Sequence, residues 1–256
     1  MNDAVLQVSG LTKDFGGVHA VSSLSFSTRR GEILGIIGPN GSGKTTLFNV
    51  ITGVLPATAG SVRFRGELVT GETTDVIARR GLVRTFQAAS VFRQETVYEN
   101  IRRGSMFRRI GKPGWFFRRG VVAEGERKAR ETAEELLEFS GLADVAGTEA
   151  GNLPYGKQKG LGVVIALAQH PSQLLMDEPA AGLNPNETEA MGELIAQIRA
   201  KRGVDVVLVE HDIKMVTSVC DRILAINYGK VIGLDVPEKI VAHPEVIEAY
   251  LGVSHE

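Results

Sequence analysis

The sequence predicts an α/β fold built around a mainly parallel central sheet. Apolar runs of strand length alternate with segments of helical periodicity along most of the chain. A glycine-rich loop joins one apolar run, at residues 33–37, to a helical segment at 47–51. Two later apolar runs, at 172–176 and 204–209, each lead into acidic residues. Strands that alternate with helices around such a loop imply a mainly parallel sheet.

Composition limits the class of protein. The 256 residues suffice for one large α/β domain, and we expect a single domain over 1–256. The net charge of -1 gives no overall positive field for nucleic acid or an anionic membrane. The single cysteine, Cys220, rules out an internal disulfide, and its apolar neighbours predict a buried thiol in a protein suited to the cytosol. No apolar run approaches the roughly 20 residues that span a bilayer.

The N-terminal third predicts an antiparallel β-edge beside the glycine loop. Strands are expected at 5–8 and 20–27, with 11–15 leading into the turn between them, and another hairpin is expected at 61–64 and 67–70. A separate segment follows at 82–86. The first turn follows Phe15, whose ring could stack on an adenine base. An aromatic residue in a hairpin packs against cross-strand neighbours at least as often, so both interpretations stay open. The segment at 82–86 ends before Gln87.

The glycine-rich loop predicts a phosphate-binding site. It consists of Gly38, Pro39, Asn40, Gly41, Ser42, Gly43, Lys44, Thr45 and Thr46. Its glycines allow successive backbone N–H groups to point inward, where they form an anion-binding concavity with the N-terminus of the following helix. Lys44 would reach the outer phosphates of a nucleotide, and Thr45 would ligate Mg²⁺.

The middle of the chain, residues 88–151, predicts a helical segment. Helices are expected at 97–103 and 126–140, the second with a small apolar face. Between them lies a basic aromatic segment, with the cations Arg102, Arg103, Arg108, Arg109, Lys112, Arg118 and Arg119 and the apolar residues Met106, Phe107, Trp115, Phe116 and Phe117. It could be a helical hairpin with its aromatic rings packed inward, a partner-docking surface or a lipid-headgroup contact. RNA binding fits least, because the total charge is near neutral.

The C-terminal half supplies the remaining elements of the parallel sheet. A helix is expected to end near 168, followed by a strand at 172–176, a helix at 186–201, a strand at 204–209, a hairpin from 223–227 and 230–233, and a helix near 245–251.

Phosphoanhydride hydrolysis needs charge neutralisation, a metal and an oriented water, and the strand ends offer a candidate for each. Asp177 could hold Mg²⁺ opposite Thr45, and Glu178 could polarise the attacking water. His211 could bind the γ-phosphate, and Gln87 could bridge metal and water. Each has a simpler interpretation: an acidic pair can cap a helix, and a lone histidine is usually structural.

Together these motifs resemble the ATP-binding subunits of ABC transporters, which are P-loop NTPases, over almost the whole chain. The resemblance rests on residues 38–46, the Thr85-Phe86-Gln87 segment, residues 153–157, residues 174–178, residues 181–184 and the Glu210-His211-Asp212 segment. It implies an ATPase that uses ATP and Mg²⁺, with Phe15 stacking on the base. It also implies a helical subdomain, about residues 88–168, that docks on membrane subunits.

Four segments, at residues 15–18, 177–185, 210–214 and 248–252, narrow the resemblance within that family. They look most like the ATPases of branched-chain amino acid importers. The resemblance then implies membrane-spanning permease subunits, an indirect link to a solute-binding protein, no nucleic-acid partner, and a peripheral place on the cytoplasmic face of the inner membrane. An amide or urea importer and a lipid exporter stay open, and a DNA-repair ATPase is less favoured because 88–151 is too short for a coiled coil.

Two departures from the family pattern affect the expected dimer. The usual Leu-Ser-Gly-Gly-Gln signature is replaced by Leu153, Pro154, Tyr155, Gly156 and Lys157. In the family this signature meets the nucleotide bound by the opposite subunit, and Pro154 has neither a hydroxyl nor an N–H to offer. Lys157 could compensate or simply point to solvent. Asn184 replaces the usual aspartate in the loop that crosses between subunits. From these departures we infer two unequal ATP sites and a second ATPase subunit, with a heterodimer favoured over a homodimer.

Overall fold

The computed structural model describes residues 4–85, 91–106 and 119–251. Its strands are β1 (Ala4–Phe15), β2 (Val18–Arg29), β3 (Ile33–Ile37), β4 (Ala59–Phe64), β5 (Glu67–Leu68), β6 (Leu82–Arg84), β7 (Gln173–Asp177), β8 (Asp205–Val209), β9 (Arg222–Asn227) and β10 (Lys230–Asp235). Its α-helices are α1 (Lys44–Ile51), α2 (Thr74–Arg80), α3 (Val97–Met106), α4 (Arg119–Ser140), α5 (Tyr155–Leu167), α6 (Pro185–Arg202), α7 (Ile213–Val219), α8 (Pro237–Val241) and α9 (Pro244–Leu251).

The strands form two sheets. The larger has the order β10-β9-β3-β8-β7-β6, and all its neighbours are parallel except β10 and β9. The smaller is antiparallel, with the order β2-β1-β4-β5. The predicted fold class, a mainly parallel core sheet with an antiparallel β portion, is confirmed.

The central strands of the larger sheet are buried on both faces, which explains their apolar runs. Every residue of β3, β7 and β8 is buried. Alternate side chains enter two different cores, because successive residues of a strand point to opposite faces. Leu34 and Ile36 pack with the antiparallel sheet and α1, whereas Ile33 and Ile37 pack with the helices on the other face.

Helices α3, α4 and α5 pack together, and their apolar residues join the core on the helical face of the larger sheet. The predicted small-residue face of α4 is buried, with Ala129, Ala133, Leu136 and Leu137 all inside. The assignment of about 88–168 to a separate subdomain stays a prediction. Among the described helices, none is both long and apolar enough to cross a membrane.

Several predicted boundaries were wrong. The strand expected at 67–70 is only Glu67–Leu68, because the Thr70 hydroxyl accepts the Val62 N–H at 2.7 Å in place of a backbone carbonyl. Three short helices, α2, α7 and α8, were not predicted. Helix α7 begins where the Asp212 carboxylate caps it by accepting the Met215 N–H at 3.1 Å. The sequence motifs identify the segment around Asp212 only as part of the nucleotide site.

Candidate nucleotide site

The predicted phosphate loop leaves β3 at the edge where three neighbouring parallel strands end. Gly41 and Gly43 have φ angles of +80° and +103°, which favour glycine. Gly38 is needed for space instead, since a Cβ there would lie 2.2 Å from the Ile226 carbonyl oxygen. A Cβ at Gly43 would lie 2.2 Å from the Ala20 carbonyl oxygen, so the loop runs between the antiparallel sheet and the β9–β10 hairpin.

Lys44 begins α1 and its side chain lies back over the loop. Its ammonium donates to the carbonyl oxygens of Gly38 at 2.7 Å and Pro39 at 2.9 Å. Burial lowers the pKa of Lys44, although the charges of Glu178 and Asp177 act in the opposite direction. Thr45, the next residue, is exposed. A cation and the first turn of a helix thus meet at one point, as an anion site requires.

Asp177 is the last residue of β7 and is 1% exposed. Its Oδ2 accepts from Arg84 Nη2 at 2.6 Å, and Arg84 Nη1 donates to Asn49 Oδ1 of α1 at 2.6 Å. No described residue donates a hydrogen bond to the buried Asp177 Oδ1. A carboxylate oxygen of this kind and the hydroxyl of Thr45 are both hard oxygen donors, which suit Mg²⁺. The role of Arg84 was missed, because nothing in the sequence pairs it with Asp177.

Glu178 and His211 meet across the ends of β7 and β8. Glu178 Oε1 lies 2.7 Å from His211 Nε2, and the Glu178 N–H donates to the Val209 carbonyl at 2.9 Å. Glu178 has a φ of +50°, an uncommon conformation for a residue other than glycine and one that often marks functional sites. The structure therefore brings together two residues that the sequence predicted separately.

Glu210 holds the segments that carry this pair. The carboxylate is 3% exposed and accepts the N–H groups of Ala180 at 2.7 Å and His211 at 3.1 Å. Burial raises the pKa of Glu210, and the two N–H donors act in the opposite direction. The sequence indicated an acidic residue here but not its task, which is to connect the loop after β7 with the end of β8.

The signature segment 153–157 opens α5, with Pro154 as its N-cap residue. In the described part of the chain, no hydrogen bond or ion pair joins it to the phosphate loop. The start of α5 instead contacts the segment after β7. Tyr155 Oη lies 3.5 Å from the Ala181 carbonyl, and Lys159 Nζ, just beyond the signature, donates to the Glu178 carbonyl at 3.2 Å. Lys157 Nζ lies 3.6 Å from Asp144 Oδ2 on a half-exposed surface.

Asn184 has a local structural role. Its side chain accepts the Glu187 N–H at 3.0 Å, while the Glu187 carboxylate accepts the Asn184 N–H at 3.0 Å. This capping box, followed by Pro185, begins α6. An aspartate could cap the helix equally well, so the substitution by itself gives no evidence of unequal ATP sites.

The other predicted residues are placed in part. Phe15 is 46% exposed at the end of β1, with Lys13 Nζ 5.0 Å from its ring centroid. Gln87 lies outside the described residues, as does 107–118 of the basic aromatic segment. Arg102 and Arg103 are paired with carboxylates on α3, α4 and the preceding loop.

Comparison with known proteins identifies the family of the chain. A family model described as ABC transporter matches residues 21–181, and one described as Branched-chain amino acid ATP-binding cassette transporter matches 230–256. The high-affinity branched-chain amino acid transport ATP-binding protein BraF of Pseudomonas aeruginosa is 41% identical over 254 residues, 98% of this chain and 99% of its own. LivG of Escherichia coli, which has the same description, is 39% identical over 253 residues, with coverage of 98% and 99%.

Solved structures of ATP-binding cassettes share the fold of this chain. A nucleotide-free ATP-binding cassette from an ABC transporter superposes with a TM-score of 0.85 at 31% identity, covering 98% of this chain and 100% of that one. A cassette in its ADP conformation gives 0.84 at 31% identity, covering 98% and 99%. The chain belongs to the ABC transporter family as an ATP-binding cassette with ATPase activity, in the branch of the branched-chain amino acid transport ATP-binding proteins.

Proposed function

We propose that this ATPase powers an importer for branched-chain or other hydrophobic amino acids. Relatives described as high-affinity branched-chain amino acid transport ATP-binding proteins match it over 98% of its length. The importer assignment places the chain on the cytoplasmic face of the inner membrane, held there by membrane-spanning permease subunits. A solute-binding protein would act on it only through those subunits, and nucleic acid has no part in this function.

The observation that carries the proposed mechanism is the 2.7 Å contact between Glu178 Oε1 and His211 Nε2. Both side chains leave strand ends next to the phosphate loop, and the charge of Glu178 is felt at Lys44. In this mechanism Glu178 orients the attacking water and accepts its proton, and His211 contacts the γ-phosphate. Residues 38–46 hold the phosphates. On nucleotide binding, the Lys44 ammonium exchanges the loop carbonyls for the outer phosphates.

Mg²⁺ would be held by the Thr45 hydroxyl and Asp177, with Gln87 as a third ligand. When bound, the ion would neutralise charge on the phosphates. The unpartnered Oδ1 of Asp177 supports this assignment, because a buried carboxylate oxygen is normally satisfied. Arg84 binds the other oxygen of the same carboxylate, Oδ2, and so leaves Oδ1 available for a metal ion. Phe15, half-exposed and held from one side by Lys13, supplies a ring face for the adenine.

The signature segment contacts the nucleotide bound by a second ATPase subunit. It consists of Leu153, Pro154, Tyr155, Gly156 and Lys157. Its lack of bonds to the phosphate loop of its own chain, among the described residues, supports this division. Pro154 offers no donor, and the long, exposed ion pair of Lys157 with Asp144 is weak enough to be replaced by a phosphate contact. A heterodimer with a differently equipped partner is therefore favoured over a homodimer.

The test is purification of the tagged chain from membranes with its native partners, followed by their identification. We expect membrane-spanning permease subunits and a second, different ATPase. Adding leucine, isoleucine or valine with the cognate solute-binding protein should stimulate ATP hydrolysis. Stimulation by amides, urea or a lipid instead would overturn the substrate assignment, and recovery of one ATPase species alone would overturn the heterodimer.

A further inference from the structure

The C-terminal helix reaches the phosphate loop. The hydroxyl of Tyr250 in α9 accepts the Gly38 N–H at 2.9 Å, across 212 residues of chain. Gly38 is the first residue of the loop, and its carbonyl accepts Lys44 Nζ at 2.7 Å. One residue is thus held on its N–H side by α9 and on its carbonyl side by the lysine of the phosphate site.

Helix α9 is well placed to hold this bond. Val246 is buried in the core on the helical face of the larger sheet, and α9 contacts β10 and α8. Burial raises the pKa of Tyr250, so its hydroxyl stays protonated throughout the neutral range. Residues 230–256, which match the branched-chain family model, include this tyrosine. None of the assigned chemistry uses it.

Gly38 itself has little freedom to compensate. A Cβ at this position would lie 2.2 Å from the Ile226 carbonyl and 2.6 Å from Ser42 Oγ, so the loop start is closely packed. A buried N–H that loses its acceptor favours conformations in which it finds another partner. Those conformations turn the loop away from its present path, and only the fraction with the correct path binds phosphate at full strength.

We propose that Tyr250 is a positioning residue of the nucleotide site, whose hydroxyl fixes the start of the phosphate loop and makes α9 part of that site. The proposal rests on the proposed role of residues 38–46 in phosphate binding. Because coupling between two elements is reciprocal, ATP at the loop should also stabilise α9.

The experiment compares Tyr250→Phe with Tyr98→Phe in the full chain. Tyr98 is a partly buried tyrosine of α3 on the helical side of the sheet, so it controls for loss of a hydroxyl. Calorimetric titration should show a Kd for ATP raised roughly threefold to tenfold in Tyr250→Phe and unchanged in Tyr98→Phe. Hydrogen exchange should be faster in the peptide containing Gly38, and ATP should protect α9 less than in the parent.

A purely structural role would lower the melting temperature of Tyr250→Phe while the Kd and the ATP-dependent protection of α9 stayed at parental values. That result would overturn the proposal. Lys44→Ala is measured in parallel to test the phosphate site on its own. Lost ATP binding in Lys44→Ala with parental binding in Tyr250→Phe refutes the tyrosine alone, whereas retained binding in Lys44→Ala refutes the site on which both depend.

Discussion

Replacement of Glu210 by glutamine tests whether one buried carboxylate holds the catalytic segments in place. The carboxylate accepts two backbone N–H groups, from Ala180 at 2.7 Å and His211 at 3.1 Å. An amide of the same shape has one oxygen to accept one of them, and its NH₂ group then faces the other donor. A buried donor without an acceptor costs about 1–3 kcal/mol.

Part of this cost is recovered, because burial already raises the pKa of Glu210 and the amide carries no charge to desolvate. We therefore expect Glu210→Gln to lower the free energy of unfolding by about 1–2 kcal/mol in urea denaturation. The segments carrying Glu178 and His211 should shift apart, and a misplacement of this kind can reduce kcat by up to about a hundredfold. The affinity for ATP should stay within about twofold of the parent, since the phosphate loop is untouched.

The control is Glu193→Gln, which removes a carboxylate from the exposed face of α6. It should leave both the free energy of unfolding and kcat unchanged. If Glu210→Gln behaves like this control in both measurements, the two hydrogen bonds of Glu210 do not hold the site.

Two further substitution or labelling tests address other parts of the chain. Lys157→Ala should slow ATP hydrolysis by the assembled complex at least about threefold, because the lysine acts on the partner's nucleotide. The isolated chain should keep its affinity for ATP. Unchanged turnover in the complex would show that Lys157 makes only its exposed ion pair with Asp144. Cys220 is buried, and burial raises its pKa to about 12. It should therefore react with a disulfide reagent at pH 8 at least about a hundredfold faster in urea than in buffer. Prompt labelling of the native protein would contradict this burial.

Much of the fold could be predicted because its signals are local. The strands β3, β7 and β8 are buried along their whole length, and their central residues are apolar, a pattern typical of strands covered on both faces. The phosphate loop combines glycine conformations with a following helix, and both are visible in consecutive residues. The capping box of Asn184 and Glu187 is also a local pattern that the sequence could have predicted. The family resemblance instead singled out Asn184 only as a departure from the usual aspartate.

The parts that could not be predicted depend on distant contacts or on short elements. Helices α2 and α7 have seven residues each, too few to give a clear hydrophobic period. Arg84 contacts Asp177 across 93 residues, and Tyr250 contacts Gly38 across 212. The local sequence around Arg84 and Tyr250 does not indicate these partners. The sequence indicated an acidic residue at Glu210 but not its two N–H donors, because these depend on the way β7 and β8 end side by side.

The central claim, that Glu178 accepts the proton of the attacking water, is tested most directly by Glu178→Gln. The amide can still accept a hydrogen bond from His211 Nε2, so the site should keep its shape and ATP should bind with a Kd within about twofold of the parent. Hydrolysis should fall by at least about a hundredfold, since the amide cannot take a proton, and the dimer should be trapped closed on ATP. Turnover at the parental rate in Glu178→Gln would contradict the assigned role.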